Sequence, residues 1–173
     1  PGTDLVGIAQ ELLNASGTEE PMQLLFPAAP LSLEDQGMPG ARAWWLLSIA
    51  RLIAAMESGQ FEQIRDEVPE GIDAARESLT ETIEIALTNA GLTESNLLLG
   101  GFSQGAMLAV DVACRGLKTP PAVLCLYSGA LICEKFWKAA AGRLTKCRIL
   151  QSHGRQDPIL PFTAGVWLRD LLM

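Results

Sequence analysis

The sequence contains a single histidine, His153, and none of its four cysteines forms a C-x-x-C pair. A protein-bound transition metal needs several nitrogen or sulfur ligands at suitable spacing, so we expect no metal site and no metal cofactor. Segments rich in lysine or arginine are also missing, and the net charge is −7. Because a negative surface repels phosphate groups, we expect no nucleic-acid partner.

Long apolar runs are missing as well. No stretch reaches the roughly 18 residues of a membrane-spanning helix, and no basic-then-apolar signal peptide is present. We therefore expect no stable membrane insertion and a cytoplasmic location, where the cysteines would remain reduced thiols. The chain begins with Pro1 and stops at Met173 without a polar tail. We expect that both ends are cuts.

What is present is enough apolar sequence for one core. Hydrophobic residues make up 49% of the 173 positions, which excludes a disordered chain and predicts a single domain over residues 1–173. Apolar runs alternate with amphipathic segments, which predicts an α/β fold with a mainly parallel sheet and helices on both faces. The predicted strands are residues 22–26, 97–99, 122–127 and 148–152. The predicted helices include residues 44–56, 69–90, 104–115, 134–144 and a last one from residue 163.

The motif that most specifically indicates a chemistry is Gly-Phe-Ser-Gln-Gly at residues 101–105. This G-x-S-x-G pattern lies between a predicted strand and a predicted helix, which is the context of a nucleophile elbow. Ser103 is then the candidate nucleophile, and the backbone N–H of Gln104 is a candidate oxyanion donor. We expect Gly101 and Gly105 to be required because a Cβ at either position would meet neighbouring backbone. The alternative is a glycine-rich helix start with Ser103 as its capping residue.

A second candidate follows the strand at residues 148–152. Asp157 lies in the next loop and fits the acid of a Ser…Asp…His order, although an aspartate before proline also commonly bonds its own backbone. His153 precedes that acid by four residues, whereas the base of this architecture follows the acid on another loop. We therefore favour a structural role for His153 over a catalytic one.

Five motifs in order along the chain resemble the phospholipase/carboxylesterase family of α/β-hydrolases, which includes acyl-protein thioesterases and small bacterial carboxylesterases. They are Phe-Pro-Ala-Ala-Pro at residues 26–30, Glu-Gly-Ile at 70–72, Gly-Gly-Phe-Ser-Gln-Gly at 100–105, Tyr-Ser-Gly at 127–129 and the His-Gly…Asp-Pro…Pro segment at 153–161. The resemblance implies an α/β-hydrolase fold with Ser103 as nucleophile, Asp157 as acid and Gln104 as oxyanion donor.

The resemblance also implies segments that the sequence does not contain. Family members begin with a strand and a His-Gly loop that supplies a second oxyanion donor, and they end with a segment that carries the base. We expect the catalytic histidine outside residues 1–173. Ala106 stands where the family usually has glycine, and Leu46 stands where it usually has aspartate. By resemblance Ile159 lies near an acyl channel, and Trp44 is a candidate substrate-binding residue.

The favoured function is therefore hydrolysis of a carboxylic ester or acyl thioester through an acyl-enzyme on Ser103, without any cofactor. The expected substrates are a small-molecule ester, a lysophospholipid or an acylated protein, with an apolar acyl group. Two alternatives stay open, a non-catalytic interaction domain on the same fold and a lactone or C–C hydrolase. The oligomeric state stays open too, with a homodimer among the expectations.

Overall fold

The computed structural model describes residues 5–17 and 21–173. The chain forms two compact units, one that ends at Ala43 and one that begins at Trp44. The single domain over residues 1–173 stays a prediction.

The first unit contains one helix and a short ladder. Helix α1 spans Val6–Ser16 and ends at Gly17, whose φ of 59° is the left-handed conformation that glycine adopts without strain. Strand β1 (Leu31–Ser32) pairs antiparallel with β2 (Arg42–Ala43). The Arg42 guanidinium donates to the backbone carbonyls of Ala29 and Pro30, which ties the preceding segment to this ladder.

The strand predicted at residues 22–26 is wrong. The segment has no regular secondary structure, and Met22, Leu24 and Leu25 are exposed. Pro21 and Pro27 flank it, and proline has no N–H to donate to a neighbouring strand. An apolar run bounded in this way cannot extend a sheet ladder at either end.

The second unit carries the remaining helices and strands. Helix α2 begins five residues later than the predicted one, and α4 continues into a π-helical turn over Val112–Gly116. The helices are α2 (Ile49–Glu57), α3 (Ile72–Ala90), α4 (Gln104–Asp111), α5 (Glu134–Ala140) and α6 (Phe162–Leu172). The strands are β3 (Leu98–Phe102), β4 (Val123–Tyr127) and β5 (Arg148–Ser152).

The three strands form a parallel sheet in which β4 lies between β3 and β5. The register pairs Phe102 with Tyr127 and Tyr127 with Ser152, so the three carboxyl ends lie side by side. In open parallel sheets, ligand sites form outside the carboxyl ends of the strands. The predicted parallel sheet is confirmed, and its register brings together the loops that follow β3, β4 and β5.

One face of this sheet carries the core. Leu99, Leu124 and Leu126 are buried there against α4, and Gln151 donates from the same face to the Gly165 carbonyl of α6 at 2.7 Å. The alternate positions point the other way, as the period of two in a strand requires. Among them four large side chains are exposed: Leu98, Phe102, Tyr127 and Leu150.

Helix α4 is anchored by the only charged side chain that is fully buried in the described residues. Asp111 accepts hydrogen bonds from Arg76 at 3.1 Å, Arg115 at 3.0 Å and the Trp137 indole N–H at 2.8 Å. Loss of one partner would leave a buried charge short of its hydrogen bonds, which is strongly destabilising. The network therefore fixes α3 and α5 around the helix that follows Ser103.

No helix in the described ranges has the length and apolar character that crossing a membrane requires.

Candidate active site

Ser103 occupies a sharp turn between β3 and α4. Its φ of 53° and ψ of −119° lie in a region that residues other than glycine rarely adopt. The Ser103 N–H donates to the Tyr127 carbonyl at 2.8 Å, and its carbonyl accepts from Ala106 at 3.0 Å and Met107 at 3.2 Å. The predicted positive φ is confirmed. These bonds hold the strained turn while the hydroxyl makes no hydrogen bond within the described residues.

The two glycines of the motif differ in what surrounds them. A Cβ on Gly101 would lie 2.2 Å from the carbonyl carbon of Gly105 and 2.7 Å from the Ala106 nitrogen. These are backbone atoms, so no side-chain rotation could relieve the contact. A Cβ on Gly105 would meet nothing within 4 Å. The expectation that both glycines avoid a collision is therefore right for Gly101 and wrong for Gly105.

Gln104 is the first residue of α4, and its backbone N–H has no acceptor in the described part of the chain. The first N–H groups of a helix have no intrahelical partner and carry a partial positive charge. This N–H follows the Ser103 turn directly, so it is placed to bond an oxygen that develops negative charge beside the serine.

Asp157 lies in the loop after β5 and is held by backbone donors. Its Oδ1 accepts from the Ile159 N–H at 3.0 Å and from the Leu160 N–H at 2.9 Å. The side chain of Ser128, which follows β4, lies close enough to the carboxylate to lower its pKa. The sequence did not indicate this role of Ser128, although its Tyr-Ser-Gly motif marks the position.

Two opposing effects act on the pKa of Asp157. Burial raises the pKa, and the hydrogen bonds from Leu160 and Ile159 lower it, as do the nearby Ser128 and His153. The lowering effects prevail, and the pKa lies below its ordinary value of 3.8. Asp157 is therefore an anion at neutral pH, which is the state needed to orient a histidine and stabilise its protonated form.

His153 is engaged away from Ser103. Its Nε2 is 3.0 Å from the Leu160 carbonyl and 3.7 Å from Asp157 Oδ2, and its side chain is only 3% exposed. The buried Nδ1 has no hydrogen-bond partner within the described residues and faces Gly165, where a Cβ would come within 2.6 Å. Neither ring nitrogen bonds the Ser103 hydroxyl. The ring instead joins the Asp157 loop to α6.

A small apolar cavity of about 30 Å³ is lined by residues whose backbones are bonded to some of these groups. Met107 lines it, and the Met107 N–H is bonded to the Ser103 carbonyl. Leu160 lines it too, and the Leu160 N–H is bonded to Asp157. The lining is completed by Trp45, Leu47, Leu52, Ile64, Glu67, Pro69, Ala130 and Ile132. The cavity thus touches residues that contact both the candidate nucleophile and the candidate acid.

The two substrate-binding candidates lie next to residues of this lining. Trp44 is half-buried and precedes Trp45, which is fully buried; Ile159 is half-buried and precedes Leu160. Neither Trp44 nor Ile159 lines the cavity itself, so their role in substrate binding stays a prediction. Only the fold determines which of two adjacent side chains faces a cavity.

Gln104 makes a further contact that sequence reasoning missed. Its side-chain Oε1 accepts from the Trp44 N–H at 2.8 Å, and its Nε2 donates to the Trp45 carbonyl at 2.9 Å. Because this amide bonds two consecutive peptide groups, it fixes both the distance and the orientation of the Trp44–Trp45 backbone relative to the start of α4.

The cysteines do not offer an alternative nucleophile. All four are unpaired thiols, and burial raises the pKa of Cys114 and Cys133 to about 12. Burial also raises the pKa of Cys125 and Cys147 above the ordinary value. Since the thiolate is the reactive form, these side chains are unreactive at neutral pH. Across residues 5–17 and 21–173, no cluster of three or more histidine, cysteine or acidic side chains could hold a metal ion.

Two comparisons relate this chain to known proteins. A model of the phospholipase/carboxylesterase family matches residues 9–173. The crystal structure of esterase PE8 is similar, with a TM-score of 0.74 and 21% sequence identity; the match covers 99% of this chain and 71% of that one. At this identity the structural likeness bears on the fold alone.

Proposed function

Because this chain belongs to the phospholipase/carboxylesterase family, we propose that it cleaves carboxylic esters or acyl thioesters through an acyl-enzyme on Ser103. The fold is the α/β-hydrolase fold, as the motifs predicted. The observation that carries the proposal is the Ser103 turn, in which a strained, half-buried serine precedes the unpaired N–H of Gln104.

The chemistry proceeds in two steps. The Ser103 Oγ loses its proton to a histidine base and attacks the substrate carbonyl, and the Gln104 N–H stabilises the resulting oxyanion. The base then protonates the leaving alcohol or thiol, and an acyl-enzyme remains on Ser103. A water molecule, deprotonated by the same base, releases the carboxylic acid and restores the serine.

Asp157 orients the base in this proposal. Its anionic state and its fixed hydrogen bonds to Ile159 and Leu160 support that role. We propose that the base is a histidine other than His153, because His153 Nε2 is bonded to Leu160 and Nδ1 faces Gly165. His153 is then a structural residue of the acid loop.

The substrate proposed is an ester or thioester with an apolar acyl group, either a small molecule, a lysophospholipid or an acylated protein. The apolar cavity, whose lining residue Met107 is bonded to Ser103, supports this class, since burial of each methylene contributes about 0.8 kcal/mol. We propose a cytoplasmic location, which the four unpaired thiols support because thiols persist in a reducing compartment.

Labelling of the full-length protein with a fluorophosphonate probe tests the mechanism, since the probe reacts with an activated serine. We expect one labelled site at Ser103, and we expect Ser103→Ala to abolish both labelling and hydrolysis of p-nitrophenyl butyrate. Ser78→Ala is the matched control, because Ser78 is an exposed serine within helix α3. Hydrolysis that survives Ser103→Ala would overturn the proposal. A parallel set of esters, thioesters and lactones identifies the bond that is cleaved.

A further inference from the structure

The side chain of Gln104 is the polar link between the Ser103 turn and the Trp44–Leu47 segment. This segment precedes α2 and has no regular secondary structure. Within the described residues its backbone makes no hydrogen bond other than the two to Gln104. Its position relative to α4 therefore depends on this amide and on the packing of its apolar side chains.

That packing places the segment in the cavity wall. Trp45 is fully buried and Leu47 is half-buried, and both line the cavity, whereas Leu46 between them is 62% exposed. The Nε2 of Gln104 bonds the carbonyl of Trp45 itself, so the amide acts on the residue that forms the wall.

Two other residues of the cavity lining are held by different contacts. Met107 is held to Ser103, and Leu160 is held to Asp157 and His153 through its backbone. Two lining residues are thus bonded through their backbones to the proposed catalytic residues, and a third, Trp45, is bonded to Gln104.

We propose that Gln104 has a second role as a positioning residue, in which its side-chain amide holds the Trp44–Leu47 wall and thereby selects the acyl group that reaches Ser103. This inference rests on the proposed function. The backbone N–H of Gln104 serves the reaction, and its side chain sets the selectivity for acyl length.

The experiment compares Gln104→Met with the wild type in the full-length protein. Methionine has similar length and volume but offers neither the acceptor for Trp44 nor the donor for Trp45. The measurement is the ratio of kcat/KM for p-nitrophenyl butyrate to that for p-nitrophenyl acetate. Losses that affect both esters equally, including any disturbance of the oxyanion donor, cancel in this ratio.

We expect the ratio to fall about tenfold in Gln104→Met, mainly through KM for the butyrate, because two methylene groups lose a fixed wall. Gln104→Glu keeps the acceptor for Trp44 and loses the donor for Trp45, so we expect an intermediate ratio. This variant also tests the inference if Gln104→Met does not fold.

Gln151→Met is the matched control. Gln151 donates to the Gly165 carbonyl at 2.7 Å and does not line the cavity, so we expect its ratio to equal that of the wild type. An unchanged ratio in both Gln104 variants, with turnover still dependent on Ser103, would overturn this inference and leave the proposed function intact. Wild-type turnover that does not depend on Ser103 would overturn both.

Discussion

The Ser103 turn and the Asp157 loop lie at the carboxyl ends of β3 and β5, and they are held in different ways. The Ser103 turn depends on backbone conformation and on the close approach of Gly101 to Gly105. The Asp157 loop depends on hydrogen bonds to one carboxylate and to the His153 ring. One region is constrained by steric contact and the other by polar contacts.

This difference predicts how each region responds to substitution. A steric constraint fails when atoms are added, and a polar constraint fails when a donor, an acceptor or a charge is removed. Substitutions in the Asp157 loop can separate geometry from charge, because an amide oxygen replaces one function of a carboxylate but not the other. Substitutions in the Ser103 turn cannot make that separation.

The largest effect is expected from Asp157→Asn. The amide oxygen still accepts from Ile159 and Leu160, so the loop keeps its shape, but the charge that stabilises the protonated base is lost. We expect kcat to fall by about 10⁴-fold and the free energy of unfolding to change by less than about 1 kcal/mol. Steady-state kinetics and urea unfolding measure the two quantities.

Asp157→Ala is the companion variant. It removes the acceptor as well as the charge, so we expect the same loss of kcat together with a loss of about 1–3 kcal/mol in stability. Near-normal turnover of Asp157→Asn would show that the carboxylate only stabilises the loop. The polar contacts of the Asp157 loop would then have no part in catalysis.

The next effect is expected from Gly101→Ala. The new Cβ would press on the backbone of Gly105 and Ala106, and we expect the free energy of unfolding to fall by about 1–3 kcal/mol, with loss of turnover. Gly105→Ala is the control within the same motif. Its Cβ enters open space on a helix, so we expect stability to be unchanged or raised by up to about 1 kcal/mol. Equal destabilisation by both variants in urea unfolding would contradict the steric explanation.

The smallest effect is expected on the free energy of unfolding as the pH is lowered. The pKa of Asp157 in the folded protein lies below 3.8, so the charged carboxylate favours folding above the pKa of the unfolded chain. This contribution is lost as the pH falls through the folded-state pKa. We expect the stability difference between wild type and Asp157→Asn to be constant from pH 7 to about 5 and to shrink below pH 4. Urea unfolding of both proteins across this pH range measures the stability difference. A stability difference that grows toward acid pH would contradict the lowered pKa of Asp157.

The sequence predicted the features that depend on local pattern. The helix predicted at residues 69–90 forms over Ile72–Ala90, three residues shorter at its start. The strands β3 to β5 and the positive φ of Ser103 follow from apolar runs and from one motif with its flanking elements. The apolar run at residues 22–26 was misassigned, because hydrophobicity alone does not show whether a strand has a partner.

Contacts between distant segments could not be predicted. Asp111 interrupted an apolar run, but nothing in the sequence paired it with Arg76 and Trp137. The same holds for the amide of Gln104 and the backbone of Trp44, which are 60 residues apart. Such pairs depend on how elements pack, and a single sequence records composition and order but not distance.

The approach of Gly101 to Gly105 also bears on how this site can diverge during evolution. Strand β3 and helix α4 cannot move closer together at this contact, and Ser103 and Gln104 are neighbours in the turn between them. The Trp44–Leu47 segment is joined to that turn by the Gln104 amide and by the packing of its apolar side chains, and its exposed Leu46 is the position most open to substitution. Under the proposed function, descendants of this chain would change their acyl selectivity by substitutions in the Trp44–Leu47 segment and would keep the Ser103 turn.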